Sequence, residues 1–577
     1  MRSPTGDHGW DPIALEIMWQ RLLSCADQAA ATLLRTSFST VVASSHDFRY
    51  AITDSDGNSL AQSYYGEVMF VTSFPDCVKN IVAAIGRDEI RPGDVYLTND
   101  PWLAAGHLPD IHVATPVFFG GRLVGFSGSV IHISDIGGRF GAHDATEVFE
   151  EGLCFPVVRL YDEGKLNADI LAILRANVRV PELAEGDVRA QVAANAVGAR
   201  LLVEFLEEYG LPDLAQLSAT LQGRVEAAMR ARIAELPDGS YEYETYAETG
   251  IATEDILICS TITIGGDEMV VDYAGSSPQT RESGVNCVLN CTRSLTLFPL
   301  HAALLPEIPS NEGMTRPIHV VAPAGSVMNA QRPAPVDVRA MVTHLLPDHV
   351  MGSLASIIGD RITAGSGIRW MLLADRLSAD GSSRTISSFF QAGGMGASGR
   401  RDGPNGRFFP IRARHTAVER FELDTGLTID RKALRQDSGG AGRYRGGCGQ
   451  VITLANPGPD TVRFSFYRPQ TRHGARGYFS GLDGKPGHIT LNGEELDQGV
   501  LTLLPGDRAN LETPGGGGFG SPAERDIDAV TDDVRQGYVS AAEAARIYGD
   551  ALEPSAALVP AVGVASNITI YRGDDPA

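Results

Sequence analysis

Residues 111–134 read IHVATPVFFGGRLVGFSGSVIHIS. Two apolar runs flank Gly120-Gly121, the pattern of two antiparallel strands joined by a tight turn. With the glycine pair as a two-residue turn, Phe119 faces Arg122, Val117 faces Val124 and Thr115 faces Phe126. Val113 then faces Gly128, and Ile111 faces Val130. That row is apolar, so it is the expected buried face. The same register carries His132 to a place opposite Pro109, beside the GHLPD loop at 106–110. By strand parity His112 falls on the other face from His132. An ideal hairpin therefore groups His132 with His107. It adds Asp110 if the bend at Pro109 turns that residue inward, and it disfavours His112. A single bulge would overturn the parity.

Two imidazoles and a carboxylate, with no thiolate, suit a borderline divalent metal such as zinc or manganese. The spacing alone leaves a second reading open, in which the histidines are merely hydrogen-bonded at a loop–strand junction. Other motifs point less far. Asp47 in HDFRYAITD reads as a turn carboxylate. The loop SDIGGRFGAHDATEVFEEG (134–152) carries Asp135, His143, Asp144, Glu147, Glu150 and Glu151 and reads as a solvated acidic loop, although Gly137-Gly138 could offer backbone N–H groups to an oxyanion. TPGGGGFGSP (513–522) lacks the Gly-Lys-Ser/Thr ending of a phosphate-binding loop and reads as a turn or hinge. Cys287 and Cys291 sit in apolar context, more core than nucleophile.

Around these motifs, 577 residues are too many for one core. With 43% hydrophobic and 21% charged residues the composition is that of a folded globular chain. The net charge of −23 disfavours nucleic acid and anionic membranes as partners. No apolar run is read as a membrane span, and the seven cysteines form no CxxC pair, so the chain is expected to be cytoplasmic. Asp11 and Pro12 open a helix over 11–36 with Leu15, Met18, Leu22, Cys25, Ala29 and Leu33 as its apolar stripe. A hairpin around Asp56-Gly57 follows. Helices are expected near 72–87, 166–210 and 340–365. The expected fold is mixed α/β (α+β) and multidomain. It comprises a metal-site α/β domain with hairpins (1–214), an α/β middle domain (215–330), a helical or mixed connection (331–435), a β-rich domain (436–524) and a helical C-terminal segment with a tail (525–577).

The chain resembles the hydantoinase B/oxoprolinase family. The motifs that carry the likeness are DPIALEIMWQRL, SSHDFRYAITDSDGN, GDVYLTNDPWLAAGHLPDIHV, VIHISDIGG, EVFEEGL, DVRAQVAANAVGARLL, DSGGAGRYRGGCGQ and TPGGGGFGSP, in family order from about residue 11 to residue 522. The resemblance implies a metal-bearing, B-type chain whose ligands are Asp47, His107, Asp110 and His132, with His107, Asp110 and His132 also catalytic. The metal would be zinc, manganese or iron. It implies a partner, a hydantoinase A-type ATPase that binds Mg-ATP and activates the substrate by phosphorylation, so that the working enzyme is a hetero-oligomer. The implied reaction is hydrolysis of a cyclic amide such as a hydantoin, a lactam or a 5-oxoproline-like ring. Two alternatives stay open: one component of an acetone- or acetophenone-type carboxylase, and a non-catalytic scaffold for the ATPase.

Overall fold

The computed structural model describes residues 10–141, 143–248, 254–381, 383–410, 414–467, 469–496 and 501–549. The expected tail beyond 549 lies outside the described residues. The chain is mixed α/β and divides into two compact units, each assembled from non-consecutive segments.

The first unit, built mainly from residues up to 245 and from 257–353, begins with α1 (Pro12–Thr36) and the short α2 (Thr40–Ala43). Asp11 caps α1, accepting from the Ala14 N–H at 3.2 Å, and all six residues of the expected stripe are buried. Strands β1 (Phe48–Asp54) and β2 (Ser59–Gln62) form the expected hairpin, followed by α3 (Ser73–Ile85), β3 (Val95–Thr98), β4 (Asp110–Phe119), β5 (Arg122–His132), β6 (Val158–Asp162) and β7 (Lys165–Leu166). These seven strands make one antiparallel sheet in the order β2-β1-β5-β4-β3-β6-β7. Helices α4 (Ala168–Asn177), α5 (Pro181–Tyr209) and α6 (Ala215–Ala234) come next.

Helix α5 lies against one sheet face and carries a buried polar stripe at i, i+4 and i+8. Asp187 accepts from the Phe38 N–H, Gln191 donates to the Ile111 and Ser129 carbonyls, and Asn195 donates to the Val113 carbonyl. These side chains tie the helix to the backbone of the sheet and of the segment after α1. The opposite face packs on α3, with Phe74 set against Ala51, Ala114 and Phe126. Gly128 makes room for that ring, since a Cβ there would run into it. The stretch Val68–Ile85, contrary to the sequence reading, is apolar enough over 18 residues to pass for a membrane span, with mean hydropathy 1.4. Here it is a 3-10 turn followed by α3, with Phe74, Cys77, Val78 and Ile81 buried.

The β4–β5 register differs from the ideal hairpin. A bulge between Val117 and Phe118 leaves Val117 opposite Gly125, with Val124 as the extra residue. From there on every pairing moves by one: Val113 faces Ser129, Ile111 faces Ile131, and Asp110, not Pro109, faces His132. The bulge thus overturns the parity expectation for His112, which shares its face with Asp110 and His132. The unit continues with β8 (Gly239–Ala247), β9 (Ile256–Gly265), β10 (Glu268–Asp272), α7 (Leu289–Leu304), β11 (Ile318–Val321), α8 (Ala340–Thr343) and α9 (Leu346–Ile358). Strands β8–β11 form a four-stranded sheet.

The second unit contains β12 (Trp370–Leu377), β13 (Arg384–Gln391), α10 (Val418–Thr425), β14 (Thr428–Leu434), β15 (Gln450–Ala455), β16 (Thr461–Tyr467), β17 (His488–Leu491), β18 (Glu494–Glu495), β19 (Thr502–Leu503), β20 (Arg508–Glu512), α11 (Ile527–Arg535) and α12 (Ala541–Tyr548). The sheets β13-β12-β16-β19 and β14-β15-β20-β17-β18 share one core around Trp370, Phe389, Phe464, Ile452 and Leu511. Strands at 370–391 are an addition to what the sequence pattern indicates for that stretch. Next to this core, glycine segments pack backbone on backbone. Gly515, Gly516, Gly517 and Gly518 donate their N–H groups to the carbonyls of Lys485, Gly447, Gly365 and Leu482 at 2.8–3.0 Å. A Cβ on Gly515 or Gly516 would overlap the carbonyl of Ser438 or Met395. The run is therefore neither the hinge expected from sequence nor a phosphate cradle, because all four N–H groups are taken and no side chain fits.

Candidate metal centre

Three adjacent strands bring one row of residues together. The His132 N–H donates to the Asp47 carbonyl at 3.1 Å, one step beyond the Phe48–Ile131 pair, and Asp110 faces His132 from the other side. Asp47, His132 and Asp110 thus share a face, since residues paired across strands point the same way. Asp47 reaches its place through His46, which takes the left-handed conformation (φ 60°) just before β1. His107 joins from the loop before β4. Asn99 holds that loop, donating to the Leu108 and Leu153 carbonyls and accepting from the Phe155 N–H. Gly106 (φ 104°) sits where a Cβ would press on Arg339 and Cys291.

The functional atoms converge. His107 Nε2 lies 3.0 Å from Asp110 Oδ1 and 3.2 Å from His132 Nδ1, and His132 Nδ1 lies 3.1 Å from Asp110 Oδ1. Ligands about 2.1 Å from a common ion stand roughly 3.0–3.4 Å apart, so the triangle has the dimensions of three corners of a coordination shell. His107, Asp110 and His132 form a group able to hold a metal ion.

The proton inventory makes the same case. His107 Nδ1 lies 3.0 Å from the Asp337 carbonyl, which can only accept, so Nδ1 carries the proton. Burial, reinforced by Arg339, lowers the His107 pKa, which leaves Nε2 as a bare lone pair. That lone pair faces Asp110 Oδ1, another acceptor. Burial works against ionisation of Asp110, but the Arg339 guanidinium and the hydrogen bond to His132 outweigh it and hold the carboxyl well below the usual range. Burial likewise opposes a charge on His132, and the Asp110 hydrogen bond with the Asp47 and Asp110 charges overcomes it, so its pKa is raised. One His132 proton cannot satisfy both acceptors facing each other. A divalent cation would. Asp47 adds to the fit: it is 3% exposed, and its Oδ1 is buried with no hydrogen-bond partner.

Residues that the sequence reading does not single out orient this set. Arg339, 2% exposed, donates to Asp110 Oδ2 at 2.6 Å and to the Ala105 carbonyl, which turns Asp110 Oδ1 toward the histidines. Arg339 also lies against Cys291, so that cysteine is core but borders the site. His112 stays outside the triangle although it shares the face. Its Nδ1 is 3.3 Å from the Asp110 carbonyl, its Nε2 has no partner, and burial pushes its pKa down to about 4. Asp100 pairs with Arg332, Asp135 with Arg179, and Asp144 and Glu150 with Arg139, away from the triangle. The Gly137 N–H is bonded to Asp135 and is not open to an oxyanion.

Residues 11–522 match the hydantoinase B/oxoprolinase family. The chain is an enzyme of that family. It is 30% identical over 567 residues to the B component of a putative D-/L-hydantoinase from Pseudomonas sp. (strain NS671), covering 93% of this chain and 95% of that one. It is 31% identical over 572 residues to the beta component of the caprolactamase of Pseudomonas jessenii, covering 93% and 96%. The crystal structure of the ATP-dependent caprolactamase from P. jessenii superposes with a TM-score of 0.86 at 29% identity, covering 96% of this chain and 98% of that one. An acetone carboxylase in its nucleotide-free form shares the fold, with a TM-score of 0.80 at 20% identity over 93% of this chain and 79% of that one. The Asp337 and Arg339 positions have no spacing signature of their own. A signal for them exists only in the folded contacts.

Proposed function

We propose that this chain is the metal-bearing half of an ATP-dependent two-component enzyme that hydrolyses a cyclic amide. Asp47, His107, Asp110 and His132 hold a divalent ion, zinc, manganese or iron, and Mg-ATP is used on an A-type partner chain. The observation that carries this reading is the convergence of His107 Nε2, Asp110 Oδ1 and His132 Nδ1 with fewer protons than acceptors. Its support from relatives is that two of them are named as single components of larger enzymes, one a hydantoinase and the other a caprolactamase.

The chain's own residues prepare the site. The Asp337 carbonyl keeps the His107 proton on Nδ1 and so presents Nε2. Arg339 occupies Asp110 Oδ2 and so presents Oδ1. Burial of the set excludes water, which strengthens each electrostatic interaction within it. A bound divalent ion supplies positive charge that polarises a carbonyl and acidifies water. An unstrained amide is a poor electrophile, and phosphorylation of its oxygen by the partner makes it a better one. Such a phosphorylated species is anionic, and on a chain of net charge −23 it needs the local positive charge that this site provides.

The test is elemental analysis and turnover of His107→Ala and His132→Ala, assayed with the A-type partner and Mg-ATP for coupled ADP release and ring opening. Each variant should lose metal and lose activity by at least about a hundredfold while keeping its circular dichroism. A metal-replete His107→Ala would remove the site assignment. Incorporation of labelled bicarbonate into product would identify a carboxylase instead.

A further inference from the structure

Glu151 is a buried carboxyl whose hydrogen bonds come from the backbone of a distant segment. It follows the 3-10 turn Val148–Glu150 and is 3% exposed. Its Oε1 accepts two backbone N–H groups, from Val336 at 2.6 Å and from Asp337 at 2.8 Å. Its Oε2 is buried without a partner. Gly284 allows this approach, since a Cβ there would stand 3.0 Å from both Glu151 Oε1 and the Asp337 nitrogen.

The segment that Glu151 holds is the one that orients two of the converging side chains. Asp337 offers its carbonyl to His107 Nδ1, and Arg339, two residues on, holds Asp110 Oδ2. On its other side Glu151 is tied to the chain that leaves His132. The Leu153 N–H donates to the Ile136 carbonyl, the Arg139 N–H to the Glu150 carbonyl, and the Val148 N–H to the Pro333 carbonyl. One carboxyl oxygen therefore joins the segment after His132 to the segment that sets His107 and Asp110.

We propose that Glu151 is a positioning residue for the metal centre: by gripping the Val336 and Asp337 amides it fixes the His107 tautomer and the Asp110 rotamer. This rests on reading the triangle as a metal site. Two N–H donors accepted by one oxygen have no substitute in water once the segment is buried, so losing Glu151 releases the Asp337 carbonyl and the Arg339 backbone together. Burial and the nearby Asp337 push the Glu151 carboxyl well above its ordinary pKa, so an uncharged amide oxygen can do the same work.

The experiment is titration of the metal-free full chain with cobalt(II), read by equilibrium dialysis and by the visible absorption of the bound ion. Selectively 15N-histidine-labelled metal-free protein reports the His107 tautomer. Glu151→Ala should weaken cobalt binding by about 10–100-fold, alter the absorption band and shift His107 toward mixed tautomers. Glu151→Gln, which keeps an acceptor in place, should bind as wild type. Glu151→Asp, one methylene short, should fall between, and it carries the test if Glu151→Ala does not fold. His107→Ala, titrated in parallel, tests the underlying reading: wild-type cobalt affinity there would discard the metal site itself. If His107→Ala loses cobalt while Glu151→Asp and Glu151→Ala keep wild-type affinity and tautomer, Glu151 has no positioning role. A Glu151→Gln variant as impaired as Glu151→Ala would also overturn the proposal.

Discussion

The candidate metal centre and the glycine bundle solve opposite problems with the same polar groups. In the bundle every donor has its acceptor: the four N–H groups of Gly515–Gly518 each meet a carbonyl, and side chains are absent because the backbones touch. At the centre His107 Nε2 and Asp110 Oδ1 face one another as acceptors, and Asp47 Oδ1 has no partner at all. Folding tends to pair buried polar atoms, so a region where pairing is complete is structure, and a region where acceptors converge unpaired is waiting for something. Sequence motifs do not separate the two cases. A run of four glycines reads as a turn or hinge, and two histidines at a strand end suit a metal or a polar junction alike.

The largest effect should come from breaking the bundle. A Cβ on Gly516 would overlap the Met395 carbonyl, and neither backbone can retreat without losing its own hydrogen bonds. Gly516→Ala should cost about 3 kcal/mol or more in urea denaturation. Gly120 is the control, because it sits at a hairpin turn with φ 56° and open space around it. Gly120→Ala should cost only about 1 kcal/mol, from its left-handed backbone alone. Equal costs at the two sites would mean the bundle is not packed as described.

The first helix and the hairpins were legible in the sequence because each rests on local periodicity or a turn; His107 and His132 do meet, but through a bulged register and not the ideal one from which they are grouped. What was not legible is instructive. The bulge at Val124 has no residue signature, yet it moves Asp110 opposite His132 and places His112 on their face. Arg339 and Asp337 lie more than 200 residues from the side chains they orient, Asp110 and His107, so only the folded chain connects them. The expected hinge at 513–522 failed for a related reason: glycine there answers to crowding by distant backbone, not to a local turn.

A third pattern sharpens the contrast. His349 is fully buried, more so than His107 and His132, and touches a serine, as a catalytic histidine would. But both of its nitrogens are matched, Nδ1 to Thr245 Oγ1 at 2.9 Å and Nε2 to Ser260 Oγ at 2.7 Å. Complete pairing marks it as structural. Burial lowers its pKa to about 3. The unfolded chain, with an ordinary histidine near 6.5, takes up the proton first as pH falls. The stability that neutral His349 contributes is therefore complete above about pH 6.5 and is lost progressively toward pH 3, up to roughly 4 kcal/mol over that window. In His349→Gln the unfolding free energy should depend less steeply on pH between 6.5 and 4, by about one proton's worth of slope. Turnover at pH 7.5 should be kept. An unchanged slope would mean that His349 is reachable by protons in the folded state.

A smaller effect than at Gly516 or His349 is expected at Asp47, and it tests the unpaired side of the comparison most directly. Asp47 shares the row with His132 and Asp110, and its free Oδ1 is the kind of atom a cation would claim. Asp47→Asn preserves volume and the backbone bond from the His132 N–H, but it exchanges a full negative charge for a dipole. If Asp47 is the fourth ligand, cobalt(II) affinity should fall about tenfold, near 1.4 kcal/mol, with circular dichroism unchanged. If instead the oxygen is unpaired only because the fold tolerates it, the substitution leaves affinity where it was. Stability of the metal-free chain separates the two outcomes further. In the metal-free chain Asp47 faces the like charge of Asp110 as well as His132, and relief of that repulsion should leave metal-free Asp47→Asn at least as stable as metal-free wild type. A ligand kept at a cost to the empty fold is the mark of a site shaped for binding, and a loss of stability on neutralising Asp47 would argue that the residue is there to hold β1 in place.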